Sequence, residues 1–178
     1  TRTSFEVGFY QLGGHPIYLS DDASQIGRGE PVKDTARVLS RFVDGIMIRT
    51  FTQKEVEDLA TYGSIPVING LTDYAHPCQV LADLLTTYEH KGKLEGLKLA
   101  YIGDGNNMAH SLMYGCAKAG MHCAVATPLN YECDKEVVKN AMEDFNAAGT
   151  TLTITNDPKE AILDADVVYT DTWVSMGQ

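Results

Sequence analysis

The chain has 178 residues, of which 44% are hydrophobic and 21% charged, the balance of a soluble globular protein with a buried core. Its net charge of −10 argues against a nucleic-acid partner, since binding nucleic acid requires a basic surface. No stretch reaches the roughly 20 apolar residues of a membrane span and no signal peptide is visible, so we expect no membrane partner.

Short apolar strands alternate with amphipathic helices along most of the chain, the rhythm of βαβ units. The helices are predicted, in chain order, over residues 3–12, 33–42, 53–62, 77–90, 107–119, 134–148 and 158–163. The strands are predicted over residues 17–19, 45–49, 65–68, 97–102, 122–126, 151–155 and 167–170. We therefore predict an α/β fold of two three-layer α/β/α units with parallel sheets, joined by an interdomain helix, with a single larger sheet as the alternative. The predicted domains span residues 1–75 and 93–178, and the helix and turn that join them span 76–92.

The four cysteines, Cys78, Cys116, Cys123 and Cys133, form no CxxC pair. Three of them lie in strongly patterned segments, as buried reduced thiols do. The sequence therefore favours a cytoplasmic protein.

Polar segments follow several of the predicted strands. In open parallel sheets the ligand binds beyond the carboxyl ends of the strands, which directs attention to Arg49 and to the loops 69–79, 103–107 and 171–178. Arg49 is suited to clamping a phosphate or a carboxylate, and a solvated arginine at a strand end is the alternative.

His76 and Gln79 are three residues apart at the start of a predicted helix, so their side chains can address one ligand. Pro77 suits the first helical position. Two neutral donors at a positive helix end are suited to a polarised carbonyl or an anion, although capping of the helix is an alternative. No second metal ligand lies at suitable spacing, so we predict no metal site.

Two later loops carry candidate polar groups. The segment 103–107 lacks the third glycine of a dinucleotide loop, so a nucleotide-binding domain is only a weak alternative, and Asn107 begins a helix. Asp171 and Ser175 can both accept hydrogen bonds from an ammonium group. An ordinary loop around a buried Trp173 is the alternative.

These segments together resemble the ornithine carbamoyltransferase family over the whole chain. The run His76-Pro77-Cys78-Gln79 is similar to the carbamoyl-phosphate motif of the wider carbamoyltransferase family. The run from Asp171 through Trp173 and Ser175 to Gly177 resembles the loop specific to the ornithine enzymes. The stretches Ser4–Val7 and Lys33–Leu39 match as well.

The resemblance implies a role for each matching residue. Carbamoyl phosphate would be bound by Thr1, Gln25, Arg49, His76 and Gln79, of which Arg49, His76 and Gln79 are the catalytic residues. Ornithine would be bound by Asn107, Asp171, Ser175 and the backbone of Met176. Gln25 would reach the site of a neighbouring subunit in a homotrimer or a multiple of trimers.

The implied reaction belongs to arginine and citrulline metabolism. The neutral δ-amine of L-ornithine attacks the carbamoyl carbon of carbamoyl phosphate and expels phosphate, without a metal or organic cofactor. Donors such as Arg49, His76 and Thr1 would stabilise the charge that develops on the carbonyl oxygen.

The family pattern extends beyond both ends of this sequence. A Ser and a phosphate-binding Arg precede the residue that matches Thr1, and a His-Cys-Leu-Pro motif follows the part that matches Gln178. The resemblance therefore implies an internal fragment. Two alternatives remain: a fragment that is inactive or binds ligands weakly, and a carbamoyltransferase with another amine acceptor.

Overall fold

The computed structural model of the chain describes residues 1–20 and 29–172. The chain forms two compact units, Thr1–Gly70 and Leu71–Gln178, which we call the first and second units. The predicted α/β class with parallel strand pairing is confirmed. The predicted limits of the two domains, 1–75 and 93–178, and of the joining helix and turn, 76–92, stay a prediction. Among the described residues, no helix combines the length and the apolar character needed to cross a membrane.

The first unit is built around one strand pair and one helix pair. Its elements are α1 (Arg2–Gln11), α2 (Val32–Leu39), β1 (Ile46–Arg49), α3 (Gln53–Tyr62) and β2 (Val67–Leu71). Strands β1 and β2 are hydrogen-bonded neighbours. Helices α2 and α3 pack on each other, and Ala36 of α2 and Val56 and Leu59 of α3 are buried.

The second unit contains a four-stranded parallel sheet. Its elements are α4 (Pro77–Lys91), β3 (Lys98–Ile102), α5 (Asn107–Lys118), β4 (His122–Ala126), α6 (Lys135–Ala148), β5 (Leu152–Thr155), α7 (Pro158–Ile162) and β6 (Val167–Tyr169). The strand order is β5-β4-β3-β6. Leu99 of β3 pairs with Cys123 of β4 on one side and with Val167 of β6 on the other.

The core of the second unit explains why its elements are fixed. Leu99 and Tyr101 of β3 are buried against Leu112 of α5 and Phe145 of α6, all at most 1% exposed. Burying one large apolar side chain contributes roughly 1.5–3 kcal/mol. Because β3 and β6 are neighbours in a parallel sheet, the loops that follow them leave the same edge side by side.

Two predicted strands differ from the structure by more than one residue at an end. The segment Ile17–Leu19 forms no strand: its three side chains are more than half exposed, and no described strand pairs with it. Strand β2 begins at Val67 rather than at residue 65, because Pro66 has no N–H to donate to a ladder. The Pro66 carbonyl instead accepts from the N–H of Ile46 at 2.9 Å.

Gly105 lies where the loop after β3 meets the segment before α6. Its N–H donates to the Tyr131 carbonyl at 2.8 Å, and a Cβ at this position would lie 2.3 Å from the Cys133 backbone nitrogen. Since backbone atoms surround the position, Gly105→Ala should lower the free energy of unfolding by about 1–3 kcal/mol, measured by urea denaturation.

The matched control is Gly8→Ala within α1, where nothing lies within 4 Å of the added Cβ. Alanine is favoured over glycine in a helix, so this variant should be as stable as the parent or more stable. Equal stability of the two alanine variants would contradict the crowding argument.

Candidate functional site

In the first unit, the structure brings together two of the predicted phosphate-binding residues. Arg49 is the last residue of β1, and its Nη1 donates to Oγ1 of Thr1 at 2.7 Å. Thr1 lies at the N-cap of α1, where the helix carries partial positive charge. A guanidinium group beside a helix start favours an anion such as phosphate.

The close approach of β2 to β1 determines where Arg49 lies. A Cβ on Gly70 of β2 would come within 2.7 Å of Sδ of Met47 and 3.0 Å of the Ile48 carbonyl oxygen. The absence of a side chain at Gly70 therefore lets the two strands pair directly beside Arg49.

In the second unit, His76 occupies the N-cap of α4, and Pro77 takes the first helical position. The His76 side chain makes no capping hydrogen bond, which argues against capping as its role. Its backbone N–H donates to Oγ of Ser111 at 2.8 Å, and that hydroxyl donates to the Asn107 carbonyl at 2.8 Å. Helix α5 thus determines where α4 begins.

Asn107 also fixes the segment that leads to His76. Its side-chain amide donates to the Thr72 carbonyl at 2.6 Å. Thr72 in turn closes a tight turn, because its N–H donates to the Ala75 carbonyl at 2.8 Å. The role of Asn107 in ornithine binding stays a prediction, and the amide group that it would use is engaged with Thr72 in this structure.

His110 provides a third tie between α5 and the same segment. Its Nδ1–H donates to the Tyr74 carbonyl at 3.2 Å, so Nε2 is left as an acceptor, and the N–H of Asp134 donates to it at 3.2 Å. Burial lowers the pKa of His110, while the bond to Tyr74 and the charges of Asp134 and Asp104 oppose that shift. The neutral imidazole therefore matches both of its partners.

Gln79 lies in the first turn of α4 and faces Asp83, which is four residues further along the helix. Its Nε2 donates to Oδ1 of Asp83 at 2.9 Å. Burial raises the pKa of Asp83, the side chains of Gln79 and Tyr169 lower it through hydrogen bonding, and the charge of Asp171 raises it. The first turn of α4 and the end of β6 therefore share one carboxylate.

Asn106 is a residue of the site that the sequence reasoning did not select. Its Oδ1 caps α5 by accepting from the N–H of Met108 at 2.9 Å, while its Nδ2 donates to Oδ2 of Asp171 at 3.3 Å. An asparagine immediately before a helix is a strong N-cap signal, which could have identified it. The structure thus joins the predicted ornithine residue Asp171 to the start of α5.

Gln25, Ser175 and Met176, which the sequence also selects, lie outside the described residues. The other predicted site residues form two groups, Thr1 with Arg49 in the first unit, and His76, Gln79, Asn107 and Asp171 in the second. Across residues 1–20 and 29–172, no cluster of three or more His, Cys, Asp or Glu side chains is suited to a metal ion.

Comparison with protein families gives two matches along the chain. Residues 1–89 match the carbamoyl-phosphate-binding domain of aspartate/ornithine carbamoyltransferases. Residues 95–178 match the aspartate/ornithine-binding domain of the same family.

Individual relatives agree with these matches. The chain is 68% identical over its full length to an ornithine carbamoyltransferase of Anoxybacillus flavithermus and 62% identical to one of Carboxydothermus hydrogenoformans. It spans 57% of the length of each of these curated relatives. The solved ornithine carbamoyltransferase of Pyrococcus furiosus is 53% identical, with a TM-score of 0.94 over 99% of this chain and 56% of its own. That of Gloeobacter violaceus is 55% identical, with a TM-score of 0.88 over 97% of this chain and 57% of its own.

The environment of His110 predicts a pH dependence of stability. Because folding favours the neutral imidazole, His110 becomes protonated at a higher pH in the unfolded chain than in the folded chain. The contribution of His110 to the free energy of unfolding is therefore fully present above its ordinary pKa of 6.5. It is lost as the pH falls towards and through the lower pKa of the folded state. For one proton the slope cannot exceed about 1.4 kcal/mol per pH unit.

The comparison variant is His110→Gln, which has no group that titrates at this position. Urea unfolding of both proteins at about pH 7.5 and about pH 5.5 isolates the contribution of the imidazole. We expect His110→Gln to be less stable at the higher pH and the difference to narrow at the lower pH. A difference that stays constant or widens on acidification would contradict the assignment of a neutral His110.

Proposed function

Because the chain belongs to the aspartate/ornithine carbamoyltransferase family, we propose that it transfers the carbamoyl group of carbamoyl phosphate to the δ-amine of L-ornithine. The products are citrulline and phosphate. The observation that carries the proposal is the first turn of α4, where His76 and Gln79 lie on a helix start that α5 holds in place. The names of the relatives and the loop that begins at Asp171 favour ornithine as the acceptor.

The anionic end of carbamoyl phosphate suits the group in the first unit. The guanidinium of Arg49 and the α1 N-terminus at Thr1 both favour a phosphate group. In the proposed reaction Arg49 and Thr1 also stabilise the negative charge that moves from the carbamoyl group to the departing phosphate.

The carbamoyl end suits the first turn of α4. We assign the imidazole of His76 as a donor to the carbamoyl oxygen and the carboxamide of Gln79 as the partner of the carbamoyl nitrogen. Charge develops on that oxygen when the amine adds, and a donor that is already in place costs no reorganisation at that moment.

The amino-acid substrate suits the polar groups beyond β3 and β6. Oδ2 of Asp171 accepts from Asn106, and we assign its second carboxylate oxygen, Oδ1, as an acceptor for an ammonium group of ornithine. Asn107, Ser175 and Met176 are assigned to the α-amino and α-carboxylate groups. The δ-amine attacks in its neutral form, the bond from the carbamoyl carbon to the phosphate oxygen breaks, and the amine proton leaves with the phosphate.

The quaternary structure and location belong to the same proposal. We assign a cytoplasmic homotrimer, or a multiple of trimers, in which Gln25 of one chain reaches the carbamoyl-phosphate site of the next. Light scattering of the purified protein tests the trimer. Mixing Gln25→Ala with a second inactive variant that keeps Gln25 tests the shared site, because recovered activity would show that one chain completes the site of the next.

The experiment uses a chimera in which this chain replaces the corresponding 178 residues of the Anoxybacillus flavithermus relative. We expect the chimera to form citrulline from carbamoyl phosphate and L-ornithine, with L-aspartate and putrescine as poor acceptors. We expect the 178-residue chain alone to be slow or inactive, because it spans 57% of that relative. A folded chimera without citrulline synthesis would refute the proposal, and a preference for putrescine would favour the other-acceptor alternative.

His76→Ala in the chimera should lower kcat about 10²–10³-fold, the usual loss for one donor to a developing oxyanion. The control is His90→Ala, because His90 lies in the last turn of the same helix and is exposed. Steady-state citrulline assays compare the two variants. Equal rates for both would remove His76 from the proposed mechanism.

A further inference from the structure

The carboxamide of Gln79 is held in one orientation by Asp83. The two residues are four apart on α4, and Nε2 of Gln79 donates to Oδ1 of Asp83 at 2.9 Å. An ionised carboxylate can only accept hydrogen bonds, so it selects the NH₂ end of the carboxamide. The carbonyl oxygen of Gln79 is therefore turned away from Asp83.

Asp83 differs from an ordinary surface carboxylate. None of the ion pairs among residues 1–20 and 29–172 includes it. Its Oδ2 is buried, and the hydrogen bond from the Tyr169 side chain lowers the pKa of the carboxyl group without supplying a cation. A partly buried carboxylate without a cation costs stability. The presence of Asp83 therefore indicates a role other than stabilising the fold.

We propose that Asp83 is a positioning residue that fixes the hydrogen-bonding polarity of Gln79, so that the Gln79 carbonyl oxygen receives the NH₂ group of the carbamoyl substrate. This inference rests on the function proposed above. Asp83 itself does not touch the substrate and acts only through Gln79.

The fixed polarity provides selectivity for a carbamoyl group over an acyl group of the same size. Acetyl phosphate has a methyl group where carbamoyl phosphate has NH₂, so it has nothing to donate to Gln79. If Asp83 no longer selects one end, the carboxamide also turns its own NH₂ towards the substrate NH₂, and two donors cannot bond to each other.

The test is Asp83→Asn in the chimera, because asparagine has the same shape but presents both a donor and an acceptor to Gln79. Calorimetry gives the affinities for carbamoyl phosphate and acetyl phosphate, and a citrulline assay gives the KM for carbamoyl phosphate. We expect carbamoyl-phosphate affinity to fall about tenfold with a matching rise in KM, a loss typical of one hydrogen bond. Acetyl-phosphate affinity should stay within about twofold.

Two further variants show whether Asp83 acts through Gln79. Glu89→Gln removes an exposed carboxylate from the same helix and should leave both affinities unchanged. In a Gln79→Leu background, adding Asp83→Asn should change carbamoyl-phosphate affinity by less than about twofold, because the group that it orients is gone.

Each opposite result would overturn the positioning role. A parallel loss of affinity for both phosphates would make Asp83 a general structural residue, and unchanged carbamoyl-phosphate affinity would make it dispensable. A full tenfold effect in the Gln79→Leu background would show that it does not act through Gln79. Selective binding without citrulline synthesis would count against the proposed reaction alone, since the affinities test the positioning role independently.

Discussion

The attachment of residues 72–76 to one polar face of α5 is the constraint on which the second unit's candidate site depends. An irregular segment exposes backbone N–H and C=O groups that must find partners. Asn107, His110 and Ser111 share one face of α5 and supply three of those partners. Helix α5 is itself held by the buried core of the second unit. The first turn of α4 therefore takes its position from the most rigid part of that unit.

Other polar side chains of the second unit also connect two secondary-structure elements each. Asn106 caps α5 with its oxygen and holds Asp171 with its nitrogen, so one side chain ties a helix start to the end of β6. Asp83 joins the first turn of α4 to Tyr169 in a comparable way. Groups held by such supporting contacts stay close to one geometry, which a binding site requires.

The sequence predicted the parts of this arrangement that depend on local chemistry. The apolar runs of β3 and β4, the proline at the start of α4 and the polar loops after the strands all follow from neighbouring residues. The contacts of His110 and Ser111 could not be predicted, because their partners lie 35 or 36 positions away along the chain. The sequence shows that Gln79 and Asp83 are four residues apart. The same i,i+4 spacing joins Lys54 to Asp58 on the surface, where such a pair contributes little, so spacing alone does not identify a pair that supports the site. The strand predicted at Ile17–Leu19 is wrong because an apolar segment forms a strand only where a second strand can pair with it.

The distribution of charge between the two units bears on the choice of acceptor. The group in the first unit combines Arg49 with a helix N-terminus and so favours an anion. The second unit instead places the carboxylate of Asp171 close enough to Asp83 for its charge to raise the pKa of Asp83. Neighbouring carboxylates disfavour a second anion and favour a cation. The proposed acceptor, ornithine, carries an ammonium group besides its attacking amine, and that group fits this environment better than the second carboxylate of aspartate would.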